Sequence, residues 1–258
     1  MRADHIMRNL KRLVAAGFCV VATACGTKEA ASPLEPTGPT GRVRFVDMIT
    51  DTTRGRVNAI LEGLPFGVNL TYGQSTPAAL PSPSTANYSA VYAGNRTLLL
   101  KRTADTSTVI ATINFTVTAN QDQSIYAIGG ASGSTISPLI VQDDNPTISS
   151  SATRLRLVNL SPTAAGVDVF VTPATADLST ATPTFTNVGY RGASAYVTPA
   201  VGTYVVRIVP TGTAPAARTA AVLATADLPL IGGAGRTVVI GDRNLGGAPI
   251  TMFVLTDQ

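Results

Sequence analysis

Histidine, cysteine and tryptophan are nearly absent from this 258-residue chain. The single histidine is His5, the two cysteines are Cys19 and Cys25, and there is no tryptophan. A Ser-His-Asp triad and a Cys-His nucleophile pair both need an imidazole base, and structural zinc sites are built from Cys and His. From Gly26 onward the sequence supplies none of these, and no disulfide can form there. Charge is also sparse: only 13% of residues are charged, against 45% hydrophobic. That balance is too apolar for a disordered chain. No stretch shows sustained helical spacing of apolar residues. What remains is rich in Val, Thr, Ser and Asn, with 23 Gly and 17 Pro, a composition that favours short strands joined by turns.

The N-terminus has the pattern of a processing segment. Arg8, Lys11 and Arg12 form a basic head, followed by the apolar run Leu13 to Ala24. Twelve helical residues rise about 18 Å, well short of the roughly 30 Å hydrocarbon core, so the run is not a membrane-spanning helix. It ends in Ala22-Thr23-Ala24-Cys25-Gly26, which resembles the lipobox of bacterial lipoproteins. The resemblance implies that residues 1–24 are a signal peptide, that the Cys25 thiol receives a diacylglyceryl group, and that Cys25 becomes the first residue. Ala22 stands where that pattern usually has Leu, so cleavage by an ordinary signal peptidase, giving a secreted protein, is the alternative. Gly26 after the cysteine, in place of Asp, resembles lipoproteins sorted to the outer membrane. Without residues 1–24 the formal charge falls from +4 to +1, because Arg2, Arg8, Lys11 and Arg12 leave with Asp4. The basic balance thus belongs to the leader, which argues against nucleic acid as a partner. Residues 25–41 hold Pro33, Pro36 and Pro39 and almost no apolar side chain. They read as a tether reaching about 50 Å.

The rest of the chain reads as two copies of one β unit. Arg42-Val43-Arg44-Phe45-Val46-Asp47 and Arg154-Leu155-Arg156-Leu157-Val158-Asn159 alternate polar and apolar side chains, and each is followed by a turn-rich break and a second alternating run. Alternation places one apolar and one polar face on a strand. Further anchors pair between copies, among them Arg44 with Arg156, Val57 with Val167, and Asp143 with Asp257. The expected architecture is all-β: two tandem immunoglobulin-like sandwiches over residues 42–144 and 153–258, joined by a polar linker at 145–152, after the signal peptide and flexible tether. The proline-rich stretch Gly73 to Ser84 is expected to be an exposed loop.

On Arg154-Leu155-Arg156-Leu157-Val158-Asn159-Leu160-Ser161-Pro162, Gly166-Val167-Asp168-Val169-Phe170-Val171 and Thr198 to Arg207, which carry the pattern, each copy resembles the domain-of-unknown-function 4397 family of bacterial surface and secreted proteins, and the second copy fits it over its whole length. The first copy has Ile49-Thr50 in place of Ser161-Pro162. The resemblance implies a fold and no catalytic residues or cofactor.

Candidate sites are therefore few. Arg42, Arg44, Arg154 and Arg156 on first-strand faces could grip phosphate or carboxylate groups of an envelope polysaccharide, or they could simply be the charged solvent face of an edge. Tyr88 with Tyr92, and Tyr190 with Tyr196, could stack on sugar or be half-buried sandwich tyrosines. Asp143, Asp144, Asp168 and Asp257 are the candidate carboxylates of a glycosidase reading. No cofactor or metal is expected. The expected role is that of a non-catalytic envelope lipoprotein, membrane-attached at Cys25, presenting modules that bind a polysaccharide or another surface protein. The alternative is a carboxylate-based hydrolase.

Overall fold

Alternation sets the strands, and pairing sorts them into four sheets. The first half contains β1 (Thr40–Ile49), β2 (Val57–Leu61), β3 (Leu64–Leu70), β4 (Ser75–Thr76), β5 (Ser89–Tyr92), β6 (Gly94–Arg102), β7 (Val109–Val117), β8 (Asp122–Gly129) and β9 (Ser137–Asp143). The second contains β10 (Thr153–Asn159), β11 (Gly166–Thr172), β12 (Phe185–Gly189), β13 (Gly192–Ala193), β14 (Gly202–Pro210), β15 (Ala224–Leu230), β16 (Ala234–Gly241) and β17 (Thr251–Thr256). The computed structural model describes residues 38–51, 55–77, 87–130 and 134–257. The signal peptide, Cys25, most of the tether and the greater part of the Gly73–Ser84 stretch lie outside them.

Each half pairs an outer with an inner sheet. The outer orders are β3-β2-β6-β7 and β12-β11-β14-β15; the inner orders are β4-β1-β8-β9 and β13-β10-β16-β17, with β5 also on β1. The all-β expectation holds, but the strand order is not the immunoglobulin one. There the second and third strands lie in opposite sheets, whereas β2 and β3 are neighbours here. Their connection is a two-residue turn in which Glu62 and Gly63 both have positive φ, 49° and 81°, the geometry that folds a hairpin back within one sheet. The inner sheets also contain a parallel pair, β1 with β8 and β10 with β16.

Strand periodicity fixes which side chains enter which core. From β1, Val43, Phe45 and Ile49 enter the first core beside Val57, Leu98 and Leu100. From β10, Leu155 and Leu157 enter the second beside Val167, Val169 and Val206. Apart from Arg42 and Arg154 at the rim, the opposite faces of these strands are turned away from water. Val46, Met48, Tyr126 and Ile128 of the first half pack with Val158, Leu160, Val239 and Leu255 of the second in a third cluster. The two inner sheets therefore lie face to face, and the halves belong to one compact unit, Pro36–Gln258. Burial of about 25 cal/mol per Å2 of apolar surface makes such a junction a large contribution to their association. Gly73 belongs to this junction as well. It has φ of 83°, and a Cβ there would lie 2.1 Å from the Phe253 ring, so only glycine fits.

β3, β4, β12 and β13 are not visible as alternation. β3 carries Pro65 and Gly67 within seven residues, and is tolerated because it is an edge strand, where proline forfeits no ladder bond. The run Ala195–Thr198, which alternates, supplies only one bridge, Val197 to Leu155. Thr219 to Leu223 is turn and coil before β15.

Candidate functional site

The polar residues that stand out in the sequence converge on the junction between the inner sheets. Arg44 and Arg156 are each only 2% exposed. Neither lies on a solvent face, and neither can meet a polysaccharide. Arg44 donates from Nε to Ser124 Oγ (3.0 Å), from Nη1 to the Thr256 carbonyl (2.9 Å) and from Nη2 to Asp257 Oδ1 (2.8 Å). Arg156 repeats the pattern from the other side. Its Nε donates to Thr237 Oγ1 (2.8 Å), its Nη1 to the Gln142 carbonyl (3.1 Å) and its Nη2 to Asp143 Oδ1. Each arginine thus reaches across to the carboxylate at the end of the other half.

The carboxylates are held as symmetrically. Asp143 accepts from the hydroxyls of Ser124 (2.5 Å) and Tyr88 (2.8 Å); Asp257 accepts from those of Thr237 (2.6 Å) and Tyr196 (3.0 Å). The Tyr88 ring lies 4.6 Å from the Arg44 guanidinium, and the Tyr196 ring 4.8 Å from that of Arg156, within cation–π range. Two cations and two anions are buried together with their hydrogen-bonding capacity engaged, the condition under which burying charge is tolerated. Burial alone would lower the arginine values, yet the surrounding tyrosines and aspartates hold both above the usual range. Burial raises Tyr88 and Tyr196 as well.

Tyr126 breaks the symmetry. β1–β8 register places it opposite Val46, where the second half has Val239 opposite Val158. It is fully buried, and its hydroxyl has no hydrogen-bond partner among the described residues. An unpaired buried hydroxyl is costly to desolvate. Tyr126→Phe is therefore expected to leave stability unchanged or raise it by about 1 kcal/mol, read as an upward shift in Tm. A clear loss would mean that the hydroxyl is bonded.

Arg42 and Arg154 lie at the rim. Arg42, with a side chain 55% exposed, grips Asp122 through Nε (2.6 Å) and Nη2. Arg154 donates to Asp144 Oδ2 (2.8 Å) and stacks on Tyr196 at 4.4 Å. Tyr92 and Tyr190 are exposed, apart from the buried Tyr88 and partly buried Tyr196. The carboxylates of the hydrolase reading are similarly engaged. Asp143 and Asp257 belong to the buried network, Asp144 pairs with Arg154, and Asp168 accepts the Asn187 N–H at 2.8 Å. Sequence reasoning missed Ser124, Thr237, Tyr126 and Asp122. The paired spacing of Arg44 with Arg156 and Asp143 with Asp257 was the signal that could have led to them.

Arg44, Tyr88, Ser124, Asp143 and Arg156 of this network lie in a segment that a family model recognises: residues 41–170 match the domain of unknown function DUF4397. The chain belongs to the DUF4397 family. The matched segment runs from β1 into β11, so it takes in the first half and Arg154–Phe170, while Thr198–Arg207 lies beyond it. No curated protein matches this DUF4397 chain. Among solved structures, a leucine-rich repeat protein from Bacteroides thetaiotaomicron is similar at 14% identity and a TM-score of 0.18, over 80% of this chain. This chain spans 26% of that protein's length. A protein provisionally described as a cell adhesion protein from Bacteroides eggerthii is similar at 7% identity and a TM-score of 0.19, over 86% of this chain and 96% of its own. Another so described, from Bacteroides fragilis, is similar at 11% identity and a TM-score of 0.17, over 85% and 98%. Likenesses at TM-scores this low carry no argument about this DUF4397 protein.

Proposed function

We propose that this protein is a non-catalytic module of the bacterial cell envelope, attached to the membrane by acyl chains on Cys25 and serving surface binding, adhesion or scaffolding. The observation that carries this reading is the buried junction. Arg44, Arg156, Asp143 and Asp257, which could have formed a reactive or anion-gripping surface, instead bond one half to the other. A junction of that kind favours a rigid presenting body over an enzyme with a mobile site. The N-terminal pattern supports the location: a short apolar run ending in Ala24-Cys25-Gly26. Several acyl chains are needed for firm attachment, since a single myristoyl-length chain holds only marginally. Among the described residues no helix is long and apolar enough to cross a membrane. The outer membrane is the proposed destination, and an envelope polysaccharide or another surface protein the proposed partner.

Mass spectrometry of the membrane fraction tests the anchor: an acylated N-terminal peptide beginning at Cys25 is expected, and an unmodified N-terminus at Gly26 or beyond would refute it. Saturable retention of the purified protein on envelope extracts, with no turnover of glycosides or esters, tests the role. Turnover abolished by Asp168→Ala, at a residue outside the junction, would overturn it.

A further inference from the structure

A polar cleft of about 470 Å3 opens where β1 and β8 begin, β9 ends and the chain leaves the first half at Asn145-Pro146, within the size range of small-ligand sites. Its charges are already matched. Arg42 is held by Asp122, Asp144 by Arg154, and Asp143 by Arg156. An incoming anion or cation would have to compete with these pairs. The exposed side chains that remain carry the carboxamides of Asn120, Gln121 and Gln142, the last with its Nε2 donating to Gln123 Oε1 at 3.4 Å, beside Asn145, whose Nδ2 donates to Asp122 Oδ2 at 2.7 Å. A carboxamide offers two donors and an acceptor, the complement of a hydroxyl pair whose members each donate and accept.

The repeat provides an internal control on what the fold itself requires. The junction groups recur in both halves, but the cleft groups do not. Arg42 lies opposite Asp122, whereas Arg154 lies opposite Gly235. The same register sets Gly233 at the place of Asn120, Ala234 at that of Gln121, and Thr256 at that of Gln142. Asn120 and Gly233 both have positive φ, 59° and 80°, so the second half forms the same turn without the amides. The fold does not need these side chains.

We propose that this cleft binds a neutral, hydroxyl-rich ligand, a saccharide unit, through the carboxamides of Asn120, Gln121 and Gln142. This rests on the surface-binding reading above and assigns it a place and a ligand class. The test titrates the purified protein with glucose, galactose, mannose and N-acetylglucosamine and their short oligomers, with galacturonate and glucose 6-phosphate as anionic probes. The variant carries N120G, Q121A and Q142T, which installs the second half's residues at exposed positions and keeps the turn unstrained. At least one neutral probe is expected to bind saturably, with an affinity nearly constant between roughly 50 and 500 mM salt. The variant is expected to weaken that binding by about ten-fold at unchanged Tm. No neutral binding, a preference for anionic probes that collapses with salt, or binding equal in the variant would each overturn the proposal. Envelope material retained equally by both proteins would remove the cleft and leave the surface reading standing; retention by neither would remove both.

Discussion

Replacing Arg44 by methionine is expected to lower the unfolding free energy by about 3 to 5 kcal/mol, and Arg156→Met by a similar amount. Methionine fills much of the same volume, so the loss reports charge more than cavity. Arg44→Met leaves Asp257, 3% exposed, with the Thr237 and Tyr196 hydroxyls as donors but without the cation that reaches it from the first half. Removing one member of a buried pair strands the other, which is why a single substitution is so costly even where the pair itself adds little net stability. The double variant Arg44→Met with Asp257→Asn removes the stranded anion and should regain part of the loss. The difference, measured by urea unfolding of all four forms, is the coupling across the junction. Because the pair joins residues of different halves, the single variants should also unfold in two steps where the native protein unfolds in one. A loss below about 1 kcal/mol, the range of a surface ion pair, would place the arginine in water and overturn the junction as described.

Stability should fall as the pH rises from about 4 to about 7, and Asp47 is the group responsible. Asp47 is 3% exposed, and burial raises its value from 3.8 to about 7, opposed only in part by the Ile49 N–H that Oδ1 accepts at 3.0 Å. Between those values the folded protein keeps a proton that the unfolded chain has released. Each unit of rising pH then costs about 1.4 kcal/mol, roughly 4 kcal/mol over the window, and the contribution is flat above it. At the equivalent position of the second half stands Asn159. Its Oδ1 accepts the Ser161 N–H, and its Nδ2 donates to the carbonyls of Ala164 (2.7 Å) and Val188 (3.0 Å). Asp47→Asn should therefore abolish the slope and make the protein more stable than its parent at pH 8. Denaturant unfolding at pH 4, 5.5, 7 and 8 separates the cases, and the same slope in both proteins would exclude Asp47 as its source.

Much of this architecture was legible in the chain itself. Alternation in Arg42–Asp47 and Arg154–Asn159 located β1 and β10 and named their core faces, because period two is a local property of a strand. The spacing that pairs Arg44 with Arg156 and Asp143 with Asp257 announced the repeat. Where alternation was broken, as by Pro65 and Gly67 in β3, the strand was held by its neighbour and could not be read from its own residues. The strand order was equally hidden, since it turned on the backbone of Glu62 and Gly63.

What the sequence by itself determined is that the strands exist, that one face of each is apolar, and that two units repeat. Whether the other face meets water was decided only by tertiary structure. A strand such as β1 carries Arg44, Val46 and Met48 on one side, and nothing local distinguishes a solvent face with an occasional apolar residue from a contact surface with an occasional charge. The distinction came from partners distant in the chain: Asp257 for Arg44, and Asp143 for Arg156. A guanidinium is tolerated out of water only where a carboxylate and its hydroxyl donors are already in place, and the second half puts them there.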